Sequence, residues 1–444
     1  MHDILLAWSE AGDTGPLSAL ALAGFTLFAL AVVLAVWRTL RATAGGDPQK
    51  DRRLFLLLVI VAGFAVRVAV AALFRMNDQN TVIAPDEETF DGNAALFAGW
   101  LRGEQPLRLS PRYLRSSQVG YFYFVGFLYY LFGHEPFVAV LANCLIGAVT
   151  ALPVYRIAER LGGQAAARPA TVLATFFPSV LLWSALLIRD SLVVFVLMLI
   201  VDAQMRLAER FGLLRLLRLG LCLILLGTLR QYLFLLMALS AAVSLLVGRA
   251  GRIGPALLKG VAAILLIAVI MRVAGFGLWE MERASLADLN LQRKYSASVE
   301  SAQGSFRPEV DISSPGRAIA WLPVGVAYFL FAPFPWQVLS GRQKFGLPDV
   351  ICFYLLLPAV IRGILVAVRR RLRESVMLLL MVVSITVLYA LVEGNVGIVF
   401  RHRAQVLVPF MIFAGLGIAA GRERAAAASK AVAAPKVGVA GVRP

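Results

Sequence analysis

A chain of 444 residues that is 60% hydrophobic and only 16% charged, with a mean hydropathy of +0.79, has more apolar surface than one or two water-soluble domains could bury. That excludes a soluble enzyme and predicts an all-α polytopic membrane protein. The formal net charge of +17 does not point to nucleic acid, because the basic residues lie in short loops between apolar runs, as the positive-inside rule describes.

Crossing a bilayer takes about 20 apolar residues. Such runs recur at 17–37, 54–74, 137–155, 170–188, 192–205, 219–247, 256–274, 318–336, 350–368, 376–392 and 404–420. Some are short and 219–247 is long enough to fold back, so a bundle of roughly 11 to 13 transmembrane helices is expected. The first 16 residues carry Asp3, Glu10 and Asp13 and no Lys or Arg, which places them outside and makes the first span a retained anchor, not a cleaved signal. Residues 1–53 are this anchor and a cytoplasmic linker containing Arg38, Arg41, Lys50, Arg52 and Arg53. Further basic clusters at Arg156, Arg160 and Arg168, at Arg206, Arg210, Arg215 and Arg218, and at Arg369, Arg370, Arg371 and Arg373 mark other cytoplasmic turns.

With this orientation, the loops 75–118, 275–316 and 393–403 face outward, and 421–444, without periodicity, is a disordered cytoplasmic tail. Strict alternation misplaces Arg342 and the last basic cluster unless one segment is re-entrant. The candidates are the aromatic run 121–132 and the Pro-broken run at 332–336. The three cysteines, Cys144, Cys222 and Cys352, sit inside apolar runs and offer neither a disulfide framework nor zinc spacing. With only three histidines, a His-based metal cage or a Ser-His-Asp triad is disfavoured.

The first outer loop concentrates carboxylates in a chain that has only 26 Asp and Glu. It reads Pro85-Asp86-Glu87-Glu88-Thr89-Phe90, and Phe90, Ala94, Phe97, Ala98 and Leu101 then recur with helical period. This predicts a short amphipathic helix lying on the membrane surface with its apolar face down and closed by Gly103. Asp86 would stand in its first turn. The plain alternative is that Asp86 caps the helix, with Glu87 and Glu88 favoured by its dipole.

Residues 85–90 with Ala94, Ala98 and Gly103 resemble the first outer loop of the GT-C superfamily, in the branch of the protein O-mannosyltransferases and the lipid A aminoarabinose transferase (glycosyltransferase family 39-like). Gly120-Tyr121, Leu131-Phe132-Gly133 and 140–143 are similar to that branch's next element. Pro178, Trp183-Ser184 and Arg189-Asp190-Ser191 resemble the element carrying its second outer acid. Glu393-Gly394-Asn395, Arg401-His402-Arg403 and Pro409 resemble its last outer loop and helix. The resemblance extends over most of 54–420, which is the expected catalytic module, and the extra span before it departs from the usual pattern.

The resemblance implies transfer of a sugar from a polyprenyl-phosphate donor to an envelope glycan, lipid or protein acceptor, outside the bacterial cytoplasmic (inner) membrane. Such transfer needs a base for the acceptor hydroxyl and cations for the departing phosphate. Asp86 is the expected base, since partial desolvation would make its carboxylate more basic. Glu87 would orient Asp86, bind the sugar or share a divalent ion with Asp190. For Asp86 and Asp190, oxygen ligands suit magnesium, manganese or calcium. Asp190 with Arg189 is either the second outer acid or a structural ion pair. Arg401, His402 and Arg403, with Arg230 at an outer hairpin turn, are the expected donor phosphate ligands, against a reading in which the first three only meet lipid headgroups. Arg67 is expected to pair with an acid. The loop 275–316 is a lid or a passive connector, and Tyr121, Phe122, Tyr123, Phe124, Tyr129 and Tyr130 line a sugar or prenyl groove or form an aromatic belt.

Two other functions compete. A polysaccharide polymerase or ligase would use a polyprenyl-pyrophosphate donor and lean on outer arginines and a histidine. A lipid-linked sugar transporter or flippase would show paired halves with mid-membrane breaks, and no internal repeat is evident.

Overall fold

The computed structural model describes residues 47–76, 83–104, 119–247, 253–274, 285–298, 304–334, 336 and 346–433. The expected anchor at 17–37, Arg342, the acids Glu280, Glu282 and Glu300, and the end of the tail fall outside the described residues. The protein is all-α: 88% helical, with no strand among the described residues. Among the described residues six helices are long and apolar enough to cross a membrane: Gln49–Met76, Pro136–Phe176, Asp190–Glu209, Pro348–Arg370, Leu372–Val392 and Val396–Ser429. Shorter apolar helices, among them Val119–Phe132, Gln231–Leu246 and Pro315–Phe331, fill the gaps between them.

In chain order the elements are α1 (Asp47–Met76), α2 (Asp86–Leu101), α3 (Val119–Phe132), α4 (Pro136–Val149), α5 (Ala151–Phe176), α6 (Pro178–Ser184), α7 (Asp190–Glu209), α8 (Leu213–Leu229), α9 (Gln231–Leu246), α10 (Ile253–Ala274), α11 (Leu286–Ser298), α12 (Pro315–Phe331), α13 (Leu347–Arg370), α14 (Leu372–Val392) and α15 (Val396–Ala433). α15 is the central post and packs along α5 and α13. Its backbone comes close to α13 because both faces are glycine: a Cβ on Gly363 would lie 1.7 Å from the carbonyl oxygen of Phe413, and one on Gly417 would lie 1.9 Å from that of Ala359. Small residues at such crossings are how helices associate where lipid removes the hydrophobic drive. α5 is broken at Gly162 and Gly163, where Gly163 takes a φ of +66° that favours glycine.

Three expectations about extent change. α15 runs to Ala433, through an alanine-rich stretch of high helix propensity that the sequence reading assigned to an unperiodic tail. The link expected as an outer loop over 393–403 is only Glu393 to Asn395, because helix resumes at Val396 and carries Arg401, His402 and Arg403 on α15. The run expected over 318–336 stops at Phe331 before Pro333.

The amphipathic α2 exists with the expected inward face, burying Phe90, Ala94 and Ala98, and it closes on Gly103 at φ +76° with the Glu104 amide bonded to the Gly99 carbonyl. Its partner is different. The apolar face lies against α3, where Phe90 meets Tyr121 edge-on at 4.9 Å and a Cβ on Gly126 would strike the Ala94 carbonyl. A stripe of small and aromatic residues fits a neighbouring aromatic helix as well as it fits lipid, and its period does not tell the two apart. Tyr121, Phe122 and Tyr129 are fully buried here, so they are packing residues and not a belt.

Candidate active site

Four segments bring their ends together at one end of the bundle: the start of α2, the α6–α7 turn, the α8–α9 break and the first turns of α15. Asp86, the first residue of α2, does not cap it; no side-chain cap bond forms there, and the carboxylate reaches Arg401 instead, with Oδ2 accepting from Nη1 at 2.6 Å. Arg401 turns its Nε to Asp190 Oδ2 at 2.7 Å. Asp190 opens α7, where the helix dipole favours a carboxylate, and its second oxygen accepts from Arg230 Nη2 at 2.9 Å. Arg230 is the extended residue between α8 and α9, as expected of a hairpin turn.

The chain of contacts continues inward. Arg230 Nη1 lies 2.9 Å from His402 Nε2, and His402 Nδ1 lies 2.8 Å from Glu393 Oε1. A guanidinium can only donate, so Nε2 must be the acceptor and the proton of the neutral imidazole sits on Nδ1, donated to Glu393. His402 is therefore not a cation here, and it serves Arg230 as an acceptor. Its ring stacks on Tyr389 at 4.6 Å, and Tyr232, which accepts from Arg230, lies 3.0 Å from the Tyr389 hydroxyl.

Exposure sorts the roles. The Asp86 side chain is 58% exposed and that of Arg401 14%, whereas Asp190 and Arg230 are buried behind them at 1% and 2%. Asp86 keeps Oδ1, and Arg401 keeps Nη2, without a hydrogen bond among the described residues. These are the groups positioned to meet a ligand. The partial desolvation expected of Asp86 is not supplied by the protein, and a bound lipid and acceptor would have to provide it.

Glu87 faces inward instead of toward the ligand side. Its Oε1 accepts from the Leu187 amide at 2.6 Å, tying α2 to the turn that carries Asp190. Arg189 points the other way and donates to the Leu229 carbonyl at 3.0 Å, one of the carbonyls left unpaired at the end of α8. Asn143 holds the same turn through the Leu186 and Ile188 carbonyls at 2.8 and 2.9 Å.

Arg403 does not join this cluster. It is buried, and it donates to the carbonyls of Leu330 and Ala332 at 3.0 and 2.5 Å and to Asp349 Oδ2 at 3.1 Å. The break after α12 leaves those carbonyls without helical partners, and Arg403 satisfies them. Arg67 pairs with no acid among the described residues: it donates to Ser184 Oγ, Gly63 O and Thr175 O at 2.8 to 2.9 Å and fixes the bundle through hydroxyl and carbonyl oxygens.

A divalent ion shared by Asp86 and Asp190 does not fit this arrangement. The Arg401 guanidinium stands between the two carboxylates and pairs with both, Arg230 holds the other oxygen of Asp190, and no group of three His, Cys, Asp or Glu gathers among the described residues.

Sequence reasoning missed Glu393 as the partner of His402, and the brace that holds it. Ser296 on α11 donates to Glu393 Oε2 at 2.9 Å, and Arg293, buried 4.3 Å over the Trp321 ring, donates to the Glu393 carbonyl. The described part of the 275–316 loop is thus fastened to the 393–395 link, which also pairs through Ser305 and Asn395. The signal available was Glu393 itself, a carboxylate directly ending an apolar run.

Beside the site, Asp91 on α2 accepts from the Tyr129 hydroxyl at 2.5 Å and lies 3.0 Å from His134 Nε2. The hydrogen bond to Asp91 raises the His134 pKa against a smaller effect of burial, while for Asp91 burial pushes up but is outweighed by the bonds from His134 and Tyr129, so its pKa falls. His134 therefore contributes stability that is fully present below its unfolded value of 6.5 and lost as pH rises through the raised folded value. The Asp91 contribution is present above 3.8 and lost as pH falls through the lowered one. The His134 side chain is 52% exposed, so the pair is worth less than about 1 kcal/mol. In a histidine NMR titration, His134 is expected to titrate above 6.5, and Asp91→Asn is expected to return it to that value or below. An unchanged midpoint in the variant would mean the pair does not form.

No curated protein matches the chain. Residues 118–276 match the family model of the dolichyl-phosphate-mannose-protein mannosyltransferases, a stretch that includes Asn143, Arg189, Asp190 and Arg230. The match bears out the resemblance drawn from the motifs: over these residues this polytopic membrane protein is similar to that family, and the match supports a glycosyltransferase of the GT-C type.

Proposed function

We propose that the chain transfers a sugar from a polyprenyl-phosphate donor to an envelope glycan, lipid or protein hydroxyl, with the Asp86 end of the bundle facing away from the cytoplasm. The observation that carries this reading is the alternation Asp86, Arg401, Asp190, Arg230, in which a half-exposed carboxylate and a partly exposed guanidinium share one edge and a buried pair stands behind them. Asp86 Oδ1 takes the acceptor proton, the acceptor oxygen forms its bond to the anomeric carbon, and the bond from that carbon to the phosphate oxygen breaks. Charge then accumulates on the departing phosphate. Arg401 is the cation that meets it, and Asp190 fixes the Arg401 fork with Arg230 as counterweight. His402 acts from behind by orienting Arg230, and Glu87 by holding α2 to the Asp190 turn.

The test compares Arg401→Ala with His402→Ala in a transfer assay with a synthetic prenyl-phosphate sugar. Arg401→Ala is expected to lower turnover about 100-fold or more, as losing a donor to a developing anion does. His402→Ala is expected to cost less, because Arg230 keeps Asp190. Transfer from a pyrophosphate donor in preference to the monophosphate, with His402→Ala the more damaging of the two, would instead favour a polymerase or ligase.

A further inference from the structure

α7 and α8 carry Asp190 and Arg230 at their near ends and meet at a turn at the far end, about 24 Å from the site along a helix rising about 1.5 Å per residue. A cavity of about 210 Å³ opens there, lined by Ala203, Arg206, Leu214, Arg215 and Arg218. Three guanidiniums converge on it with donors to spare. Arg206 commits only Nε, to Asp202 at 3.0 Å; Arg215 commits only Nη1, to the carbonyls of Arg210 and Arg206 at 2.6 and 3.4 Å; and Arg218 bonds to nothing among the described residues. The first turn of α8 supplies Leu214 and Arg215 to the lining, so the positive end of that helix faces the same space.

The surroundings identify the kind of anion. Leu214, Leu217 and Leu221 follow at helical spacing on α8 and are all exposed, so an apolar stripe leads away from the cationic cavity. A free phosphate has no use for that stripe, whereas a lipid uses both parts. We propose that this cavity binds the phosphate of an anionic phospholipid headgroup in the leaflet opposite the Asp86 site, with the acyl chains lying along the α8 leucines. The inference stands independently of the transfer chemistry.

The test is native mass spectrometry of the delipidated full chain in detergent, titrated with phosphatidylglycerol, phosphatidylcholine or inorganic phosphate. Phosphatidylglycerol is expected to bind more tightly than phosphatidylcholine, and Arg215→Gln with Arg218→Gln is expected to weaken it about tenfold or more. The pair Arg369→Gln with Arg370→Gln, both exposed at the end of α13, is expected to leave binding unchanged. Equal losses from the two pairs would mean diffuse charge and not a site. Equal binding of the two lipids, or displacement of phosphatidylglycerol by equimolar inorganic phosphate, would overturn the lipid assignment. Should the double variant fail to fold, Arg218→Gln alone carries the comparison, since that side chain is exposed and makes no bond among the described residues to lose.

Discussion

Asp86→Asn is expected to remove sugar transfer by a factor of about 10² to 10⁴, the range of a lost general base, while the protein inserts and purifies as before. The amide keeps the size of the side chain and can still accept from Arg401 through its oxygen, and no other bond of α2 depends on Asp86. The helix is held by its Phe90 face and by Glu87, so the damage is confined to proton removal. Two measurements separate this from a structural effect: turnover with a synthetic prenyl-phosphate sugar, and the melting temperature in detergent. Turnover at the level of the unaltered protein, with normal yield, would take Asp86 out of the reaction and leave Arg401 as a merely structural partner.

Arg403→Met is expected to act in the opposite way, on the fold and not on the chemistry. The substitution strands Asp349, buried and still accepting from the Ser179 amide, together with the carbonyls of Leu330 and Ala332. Removing one member of a buried pair costs about 3–5 kcal/mol, which is a large part of the stability of an ordinary domain. Loss of monodisperse protein is the expected readout. The double variant Arg403→Met with Asp349→Asn should recover part of that loss, because the uncompensated charge is gone. A folded, heat-stable Arg403→Met protein that lacks transfer would instead return Arg403 to the donor phosphate.

The contrast between these two arginines shows where the sequence was readable. Arg401 and Asp86 lie 315 positions apart, yet each stood out as a charge beside an apolar run, and charges in such places group together because lipid offers them no other partner. Arg403 stood out in the same way, yet its side chain joins other partners. Residues two apart on a helix point to nearly opposite sides, so once Arg401 faces Asp86 its neighbour at 403 must face the interior. Reading 393–403 as a loop hid this, because the periodicity has force only once the stretch is known to be helical from Val396. What Arg403 would find there was not legible, since the unpaired carbonyls come from a break 71 positions away in sequence.

The amphipathic α2 gives the same lesson with a softer outcome. Its inward face was readable from period alone, and so was the glycine that ends it. The identity of the surface it covers depended on α3, whose aromatic residues serve a helix and a headgroup layer equally well. Glu393 was overlooked because a single carboxylate at a helix end usually needs no partner, and its role exists only through His402 and the α11 brace.

The imidazole of His402 has one lone pair in its ring plane, and Arg230 occupies it. A group in that state cannot also shuttle a hydrogen ion to or from an incoming alcohol unless it first lets go of the Arg230 guanidinium. Under the proposed reaction, proton removal therefore falls to Asp86 and not to His402.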